Sequence, residues 1–540
     1  MGDVARDAEG GREVGREVAA AYGPRRVPLL FLNVVIIAVC GLVYELLAAT
    51  VSSYLLGDSV TQFSLVIGVY LTSMGLGAWI SRYINMRVAR GFCEVQLLIA
   101  LIGGTSAPVL FFVFGLTGKV AVVLYLEVTV IGALVGLELP LLMRLLEKDL
   151  QFKDLISRVL ALDYVGALFA SLLFPLVFVP MLGLVRTALL MGFVNAVVGL
   201  WATSLLRFEL RPSARASLRV RGVILAVALA VGVIKAEALT EMAEERVFRD
   251  PIVYAESTPY QRIVVTSAHE SFQVYLNGQL QLDASDEYRY HEALVHPAVA
   301  ALGRPLRRAL VLGGGDGLAL RELFRYPQVE AVTLVDLDPG MTSLSRRFEP
   351  LAALNRRSYE DRRLTVVNED AFLWVDGEAK DGREAAWDLV VVDFPDPNNY
   401  GLGKLYTRHF YQRLRALVAP GGRVVVQSTS PLAVNRSYWT IIATLEAAGF
   451  VVHPMQVTVP SFGVWGFGLA GVGDFAAPRE LGAPEAGGRF VPEGLRFVDS
   501  EVMRGMFVLP RDMARVEVEV NRLDNQILVR RYEAEGERWR

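Results

Sequence analysis

Cysteine is nearly absent: the 540 residues contain two, Cys40 and Cys93, and both lie in apolar stretches. That excludes a disulfide framework and a cysteine-ligated metal site. Only five histidines occur, and no histidine cluster or carboxylate spacing suggests a metal. Neither sign of charge dominates, with 54 Lys and Arg against 57 Asp and Glu and a formal net charge of −3. Nothing in that balance argues for nucleic acid as a partner. A cleavable-leader pattern is also missing, because the first apolar run is too long and lacks a convincing small-residue cleavage site.

What the chain has in plenty is hydrophobicity, 53% of residues with a mean hydropathy of +0.38. Residues 1–24 are polar and read as a disordered tail. Residues 25–240 read as a membrane domain of about seven helices, with apolar segments at 27–49, 60–81, 95–116, 120–143, 159–182, 184–206 and 221–239. Each is long enough, or nearly so, to cross a bilayer core. Basic residues gather after the second, fourth and sixth segments, among them Arg82, Arg87 and Arg90, then Arg144, Lys153 and Arg158, then Arg207 to Arg221. The positive-inside rule therefore predicts a multi-pass protein of the cell inner membrane with a cytoplasmic N-terminus.

Seven spans would leave everything beyond residue 240 on the external, periplasmic side. The seventh segment is the weakest, running into Lys235 and Glu237, and if it lies in the interface the rest of the chain stays in the cytoplasm. Glu45, Glu127, Glu138 and Asp163 fall within or near the spans. They mark a cation pathway or are satisfied by neighbouring helices. Runs such as Ser73-Met74-Gly75-Leu76-Gly77 suit close helix packing.

After Pro251 the pattern changes. Two strand-like runs, Phe272 to Leu276 and Gln279 to Leu282, flank Asn277-Gly278, a strong hairpin signal. Residues 251–300 read as a small β-hairpin unit closing on a helical stretch from 286. Residues 301–475 read as an α/β Rossmann-like domain of the class I methyltransferase type, with a parallel sheet. It opens with a buried strand, Ala309 to Leu312, breaking into Gly313-Gly314-Gly315-Asp316-Gly317, followed by a helical pattern, a strand at Ala331 to Val335, and Asp336. A glycine turn lets a nucleoside approach the backbone, and an acid about 20 positions on can grip its ribose. Further strands at 364–367, 387–392 and 423–427 alternate with helices. Residues 476–540 read as a C-terminal extension without a chemical assignment.

Asp316, Asp336, Asp370, Asp393 and Asp396 all fall just past strand ends, so they should converge on one acidic cleft. Such a pocket favours a cationic substrate. Asp336 suits ribose hydroxyls and Asp370 the exocyclic amine of a base. Asp393 and Asp396, three apart on a proline-stiffened loop, suit proton acceptance and the holding of a second ammonium group.

The ordered series Tyr260-Gln261, Asn277-Gly278, Asp286-Glu287, Tyr290-His291-Glu292, the glycine turn, Asp370-Ala371 and Asp393-x-x-Asp396-Pro397 resembles the spermidine synthase family of polyamine aminopropyltransferases. With the apolar segments in front, the chain is similar to the membrane-fused bacterial branch of that family. The resemblance implies decarboxylated S-adenosylmethionine as co-substrate, a diamine such as putrescine as acceptor, 5′-methylthioadenosine as by-product, no metal, and a homodimer. It also implies that Gln261, Gly313, Gly315, Asp336, Asp370 and Ala371 bind the nucleoside. On the amine and aminopropyl side it implies Tyr290, His291, Asp316 and Asp396, with Asp393 as the catalytic proton acceptor.

Departures from the family pattern cluster on the acceptor side. Asp336 stands where Glu is usual, Phe394-Pro395 replaces small residues, Tyr400 stands where Pro is frequent, and no tyrosine occurs near Val459 to Phe462. Two other readings fit parts of the chain: a polyamine transporter or sensor that binds without turnover, and a methyltransferase dependent on S-adenosylmethionine.

Overall fold

The computed structural model describes residues 26–536, apart from short stretches at 57–58, 85–86, 117–119, 148–151, 245–247, 249, 269–270, 381–385 and 486–487. The predicted tail at 1–24 lies outside the described residues. The chain divides into two units, Met1–Arg249 and Asp250–Arg540.

The first unit is helical. Its long helices are α1 (Arg26–Leu56), α2 (Ser59–Ile80), α3 (Val88–Leu116), α4 (Val120–Leu146), α5 (Phe152–Leu173), α6 (Val179–Leu205) and α7 (Pro212–Ile234), and a short α8 (Ala236–Glu244) follows. Among the described residues, six stretches are long and apolar enough to cross a membrane, one of them the 53-residue run Lys153–Leu205. A straight helix of that length would measure about 80 Å, against a bilayer core of about 30 Å. The run leaves helical geometry at Gly183 (φ 72°, ψ 174°), just after the π-helical turn Phe174–Phe178. Glycine accepts that conformation without a Cβ penalty, so the run is two segments joined without a loop, parting at Gly183 just inside the start of α6.

Three helices start earlier than hydropathy indicates. α3, α5 and α7 begin at Val88, Phe152 and Pro212 rather than at 95, 159 and 221, which puts Arg90, Arg158, Arg215, Arg219 and Arg221 inside helices and not in loops. Arginine is a good helix former despite its charge, and Pro212 occupies the first turn of α7, where its missing N–H costs nothing.

Small residues bring these helices together. A Cβ on Gly77 would lie 2.0 Å from the Ala133 carbonyl oxygen, and one on Gly136 2.1 Å from that of Met74, whereas Gly75 faces open space. Backbone contact of that kind is the packing mode expected between apolar helices. Deep among them the Gln96 amide donates to the Glu138 carboxylate, and Glu138 is 2% exposed.

The second unit opens with a four-stranded antiparallel sheet, β1 (Ile252–Ser257), β2 (Arg262–Ala268), β3 (Ser271–Leu276) and β4 (Gln279–Asp283), in that order. Asn277 (φ 51°) and Gly278 (φ 76°) form the predicted hairpin turn, both in the left-handed region that such a turn requires. The helix predicted within the 251–300 unit is α9 (Glu287–Ala300). Its Ala293, Leu294, Ala298 and Val299 pack in one core with Ala309, Val311, Leu389 and Val391, so it belongs with the larger sheet.

That sheet has seven strands, β5 (Arg308–Gly313), β6 (Ala331–Val335), β7 (Leu364–Val367), β8 (Trp387–Asp393), β9 (Val418–Gln427), β10 (Val451–Val459) and β11 (Gly463–Gly471), in the spatial order β10-β11-β9-β8-β5-β6-β7. β5 to β9 pair in parallel, while β11 is antiparallel to both β9 and β10. The predicted parallel sheet is thus a mixed one. Helices cover both faces: α9 and α10 (Leu318–Leu323) on one, α11 (Ala371–Lys380), α12 (Arg408–Leu417) and α13 (Asn435–Ala447) on the other. The chain runs outward from β5 to β7, then returns to place β8 on the other side of β5. The carboxyl ends of β5 and β8 flank the point where the strand order reverses, where crevices form in such sheets.

Candidate active site

A cavity of about 430 Å³ opens at that point, and every residue predicted for the site lines it: Gln261, Tyr290, His291, Gly313, Gly315, Asp316, Asp336, Asp370, Ala371, Asp393 and Asp396. The glycine turn fits because two acidic strand ends press against it. Gly313 has φ 77°, and a Cβ there would lie 2.3 Å from the Asp393 carbonyl oxygen. A Cβ on Gly315 would lie 2.6 Å from the Asp336 carboxylate. The Gly314 N–H donates to the Asp393 carbonyl at 3.0 Å, fastening β5 to β8 at their ends.

On the β6 and β7 side, Asp336 accepts the Asp338 N–H at 2.9 Å, and its carboxyl is pushed up to about 6 by burial, with the charges of Asp338 and Asp316 adding. Gln261 reaches over from the small sheet and donates to Asp338 at 2.7 Å. Asp370 accepts the Phe372 N–H at 2.9 Å, which ties it to the first turn of α11, and its other oxygen pairs with the ammonium of Lys404.

On the β5 and β8 side, Tyr290 and His291 project from the first turns of α9. The Tyr290 hydroxyl donates to Asp393 Oδ1 at 2.6 Å. His291 Nδ1 lies 2.8 Å from Glu287 Oε2, one turn back, and Nε2 lies 4.0 Å from Asp316. Burial alone would lower the imidazole pKa, but the hydrogen bond to Glu287 and the charges of Asp316 and Asp393 outweigh it, raising it to about 9. Glu287 is in turn gripped by Arg321 at 2.8 and 2.9 Å. Burial raises the Asp393 carboxyl to about 6, helped by the charge of Asp316 and opposed by His291 and Tyr290.

His291, Asp316 and Asp393 hold donor atoms within 4.8 Å of one another, a spacing that a cation could bridge. The donors fit a metal poorly. With no metal bound, Glu287, Asp316 and Asp393 raise the imidazole to about 9, and in that protonated form, with Nδ1 engaged by Glu287, neither ring nitrogen offers a lone pair. The trio is better described as an imidazolium between two carboxylates.

Asp396 lies three residues beyond β8. Its Oδ1 accepts from the Gln427 amide at 2.9 Å, and its Oδ2 from the hydroxyls of Tyr532 at 2.7 Å and Thr429 at 3.4 Å. Burial raises this carboxyl, and the three hydrogen bonds oppose the rise. The sequence reading missed Gln427, Thr429, Lys404, Phe462, Trp465 and Tyr532. Gln427 ends a parallel strand as the aspartates do, so the rule that found them applies to it too. Tyr532 carries no such signal, standing 136 positions from Asp396 in the extension left without a chemical assignment.

The spermine/spermidine synthase domain model matches residues 287–474, from the start of α9 to just past β11. A polyamine aminopropyltransferase of Leptospira interrogans is 46% identical over 94% of this chain and 99% of its own length. Polyamine aminopropyltransferase 2 of Ralstonia nicotianae is 49% identical over 94% of this chain and 97% of its own. Among solved structures, a spermidine synthase in complex with the transition state analogue AdoDATO is 21% identical, with a TM-score of 0.41, over 48% of this chain and 84% of that one. Spermidine synthase from Thermotoga maritima gives 20% and 0.40 over the same shares. Relatives matched along nearly their whole length, apolar helices included, establish that this chain belongs to the polyamine aminopropyltransferase family, the spermidine synthases, and is an aminopropyl-transferring enzyme.

Proposed function

We propose that the enzyme moves the aminopropyl group of decarboxylated S-adenosylmethionine to a diamine such as putrescine, giving spermidine and 5′-methylthioadenosine. Asp393 carries this reading: a carboxyl raised to about 6, bonded by Tyr290, at the end of the strand that meets the glycine turn. The acceptor nitrogen attacks the carbon bound to the sulfonium, opposite sulfur. The new N–C bond forms as the C–S bond breaks, and the electron pair goes to sulfur, which leaves as a neutral thioether. The proton released by the nitrogen passes to Asp393, a base close enough to neutrality to accept it at working pH.

The other residues bind and orient. Asp336 takes the ribose hydroxyls, Asp370 and Ala371 the adenine, and Gln261 closes the nucleoside side. Asp316 and His291 line the aminopropyl path, and Asp396 holds the second ammonium group of the acceptor. The donor carries a sulfonium and an amine but no carboxylate, which suits an acidic cleft. The same acidity disfavours S-adenosylmethionine with its carboxylate, so methyl transfer is the poorer reading. Mass spectrometry of the purified protein supplied with the donor and a panel of amines tests the proposal. Methylthioadenosine plus an amine heavier by one aminopropyl group supports it, and binding without turnover across the panel overturns it.

The helical unit is proposed to lie in the inner membrane. With α5 and α6 counted separately and all seven segments crossing, arginine-rich helix ends inside, the catalytic unit faces outward. Protease added to cells with only the outer membrane opened should then cut it, and full protection would place it in the cytoplasm. A homodimer is proposed on family resemblance alone, and light scattering in detergent tests it. The buried Gln96–Glu138 pair favours a second role, polyamine passage through the bundle. Absence of polyamine flux into proteoliposomes would remove that role.

A further inference from the structure

We infer that Tyr532 is a positioning residue for the acceptor amine: its hydroxyl aims the Asp396 carboxylate, so that the C-terminal helix completes the acceptor subsite. This rests on the reading above in which Asp396 holds the amine. A carboxylate has about four hydrogen-bonding sites. Gln427, Thr429 and Tyr532 occupy three of those on Asp396, leaving about one for a ligand N–H in the cavity. The Tyr532 contact is the shorter of the two on Oδ2, at 2.7 Å against 3.4 Å, so with Gln427 on Oδ1 at 2.9 Å it fixes the rotation of the carboxylate and hence where the remaining site points.

The helix that carries Tyr532, α14 (Ile527–Gly536), is held in register by contacts outside the cleft. Leu528 and Val529 are fully buried, and a Cβ on Gly403 would lie 2.4 Å from the Val529 side chain. Asn521, also fully buried, donates to the carbonyls of Gly403 and Tyr406 at 3.1 Å. One helical face carries Leu528, Tyr532 and Glu535 at steps of four and three. The Glu535 carboxylate accepts the N–H groups of Arg436 and Ser437 at 2.9 and 3.0 Å and the Ser437 hydroxyl at 2.7 Å. Those N–H groups belong to the first turn of α13, which has no side-chain cap of its own. A segment so tied delivers one hydroxyl to one carboxylate. It also answers the missing tyrosine near Val459 to Phe462, because a phenol reaches the acceptor side from a different part of the chain.

Tyr532→Phe removes the hydroxyl and keeps the ring, so it tests the contact without opening a hole. The expected result is a putrescine KM raised about 10-fold or more, as for a lost hydrogen bond to a charged group. The KM for decarboxylated S-adenosylmethionine and kcat at saturating amine should stay within about 3-fold. Glu535→Gln, which loosens the helix from outside the cleft, should shift the putrescine KM in the same direction. An unchanged putrescine KM in Tyr532→Phe, or an equal rise in both KM values, would overturn the inference. Calorimetry with putrescine alone separates this from the reading beneath it. If the unmodified protein never turns over, that reading fails, while equal putrescine affinity of the unmodified protein and Tyr532→Phe overturns the role of Tyr532.

Discussion

The hydroxyl of Tyr290 and the carboxylate of Asp393 meet at 2.6 Å across 103 positions of sequence, one on the first turn of α9 and the other at the tip of β8. The bond fixes one carboxylate oxygen of a residue that lines the cavity. Asp393→Asn keeps that geometry and removes the proposed base. Activity should fall by about 100- to 10,000-fold while the melting temperature stays close to that of the unmodified protein. Near-normal turnover would show that another group takes the proton.

The pH profile follows from the same carboxyl. Asp393 must be deprotonated to accept a proton, and it titrates near 6 instead of the usual 3.8. The value of kcat/KM, which reports the free enzyme's base, should therefore show a limb that rises as pH increases through about 6. A rise centred near 4 would contradict the buried, Asp316-facing environment described here.

His291 makes stability depend on pH in a definite direction. Its pKa in the folded protein, about 9, lies above the ordinary 6.5, so the folded state favours the imidazolium. The stabilisation is present in full below about 6.5 and is lost as pH rises through about 9. Melting temperatures measured between pH 6 and pH 10 should fall in the unmodified protein, and the fall should be smaller in His291→Gln.

Gly315→Ala tests the close approach of the turn to Asp336. The added methyl would sit 2.6 Å from that carboxylate and push it from its place. Methylthioadenosine should bind about 10-fold or more weakly, on the scale of a lost hydrogen bond to a charged group, and putrescine binding should change little. Calorimetry with each ligand separates the two effects.

In the helical unit, two glycines of one helix pair predict opposite outcomes. Gly136→Ala places a methyl 2.1 Å from the Met74 carbonyl oxygen, whereas Gly75→Ala meets nothing within 4 Å. The first should destabilise the detergent-solubilised protein by about 1–3 kcal/mol. The second should be neutral or slightly stabilising, since alanine is the better helix former.

Local signals in this chain were strong where one strand or one turn decides them. β6 and β7 begin and end where the apolar runs do, and Asn277-Gly278 turns as its dipeptide requires. The site aspartates were legible because parallel strands deliver their carboxyl ends to one edge. The antiparallel pair β10–β11 was not. Gly463, Gly466, Gly468 and Gly471 dilute the apolar pattern of β11, and one of them is explained by distant neighbours, the Tyr438 ring and the Thr429 carbonyl, which a Cβ on Gly466 would meet at 2.4 and 2.8 Å. The arginine-bearing starts of α3, α5 and α7 were hidden because hydropathy measures solvation while helix propensity measures backbone freedom. Tyr532 was beyond reach for a third reason: its role depends on α13, α14 and the loop after β8 meeting in space, and no stretch of sequence encodes that.

The backbone contact between Gly313 and Asp393 also limits how such an enzyme can diversify. The turn proposed to receive the nucleoside and the strand tip proposed to serve the amine touch so closely that a methyl group cannot be inserted between them. Neither can drift without the other, so the reacting centre should be inherited as a single block. Freedom to change acceptors is left to pieces that reach the cleft from elsewhere: the turn bearing Phe462, the strand bearing Trp465, and the terminal helix bearing Tyr532. New amine specificities should therefore arise by exchanging these borrowed parts around an unaltered centre.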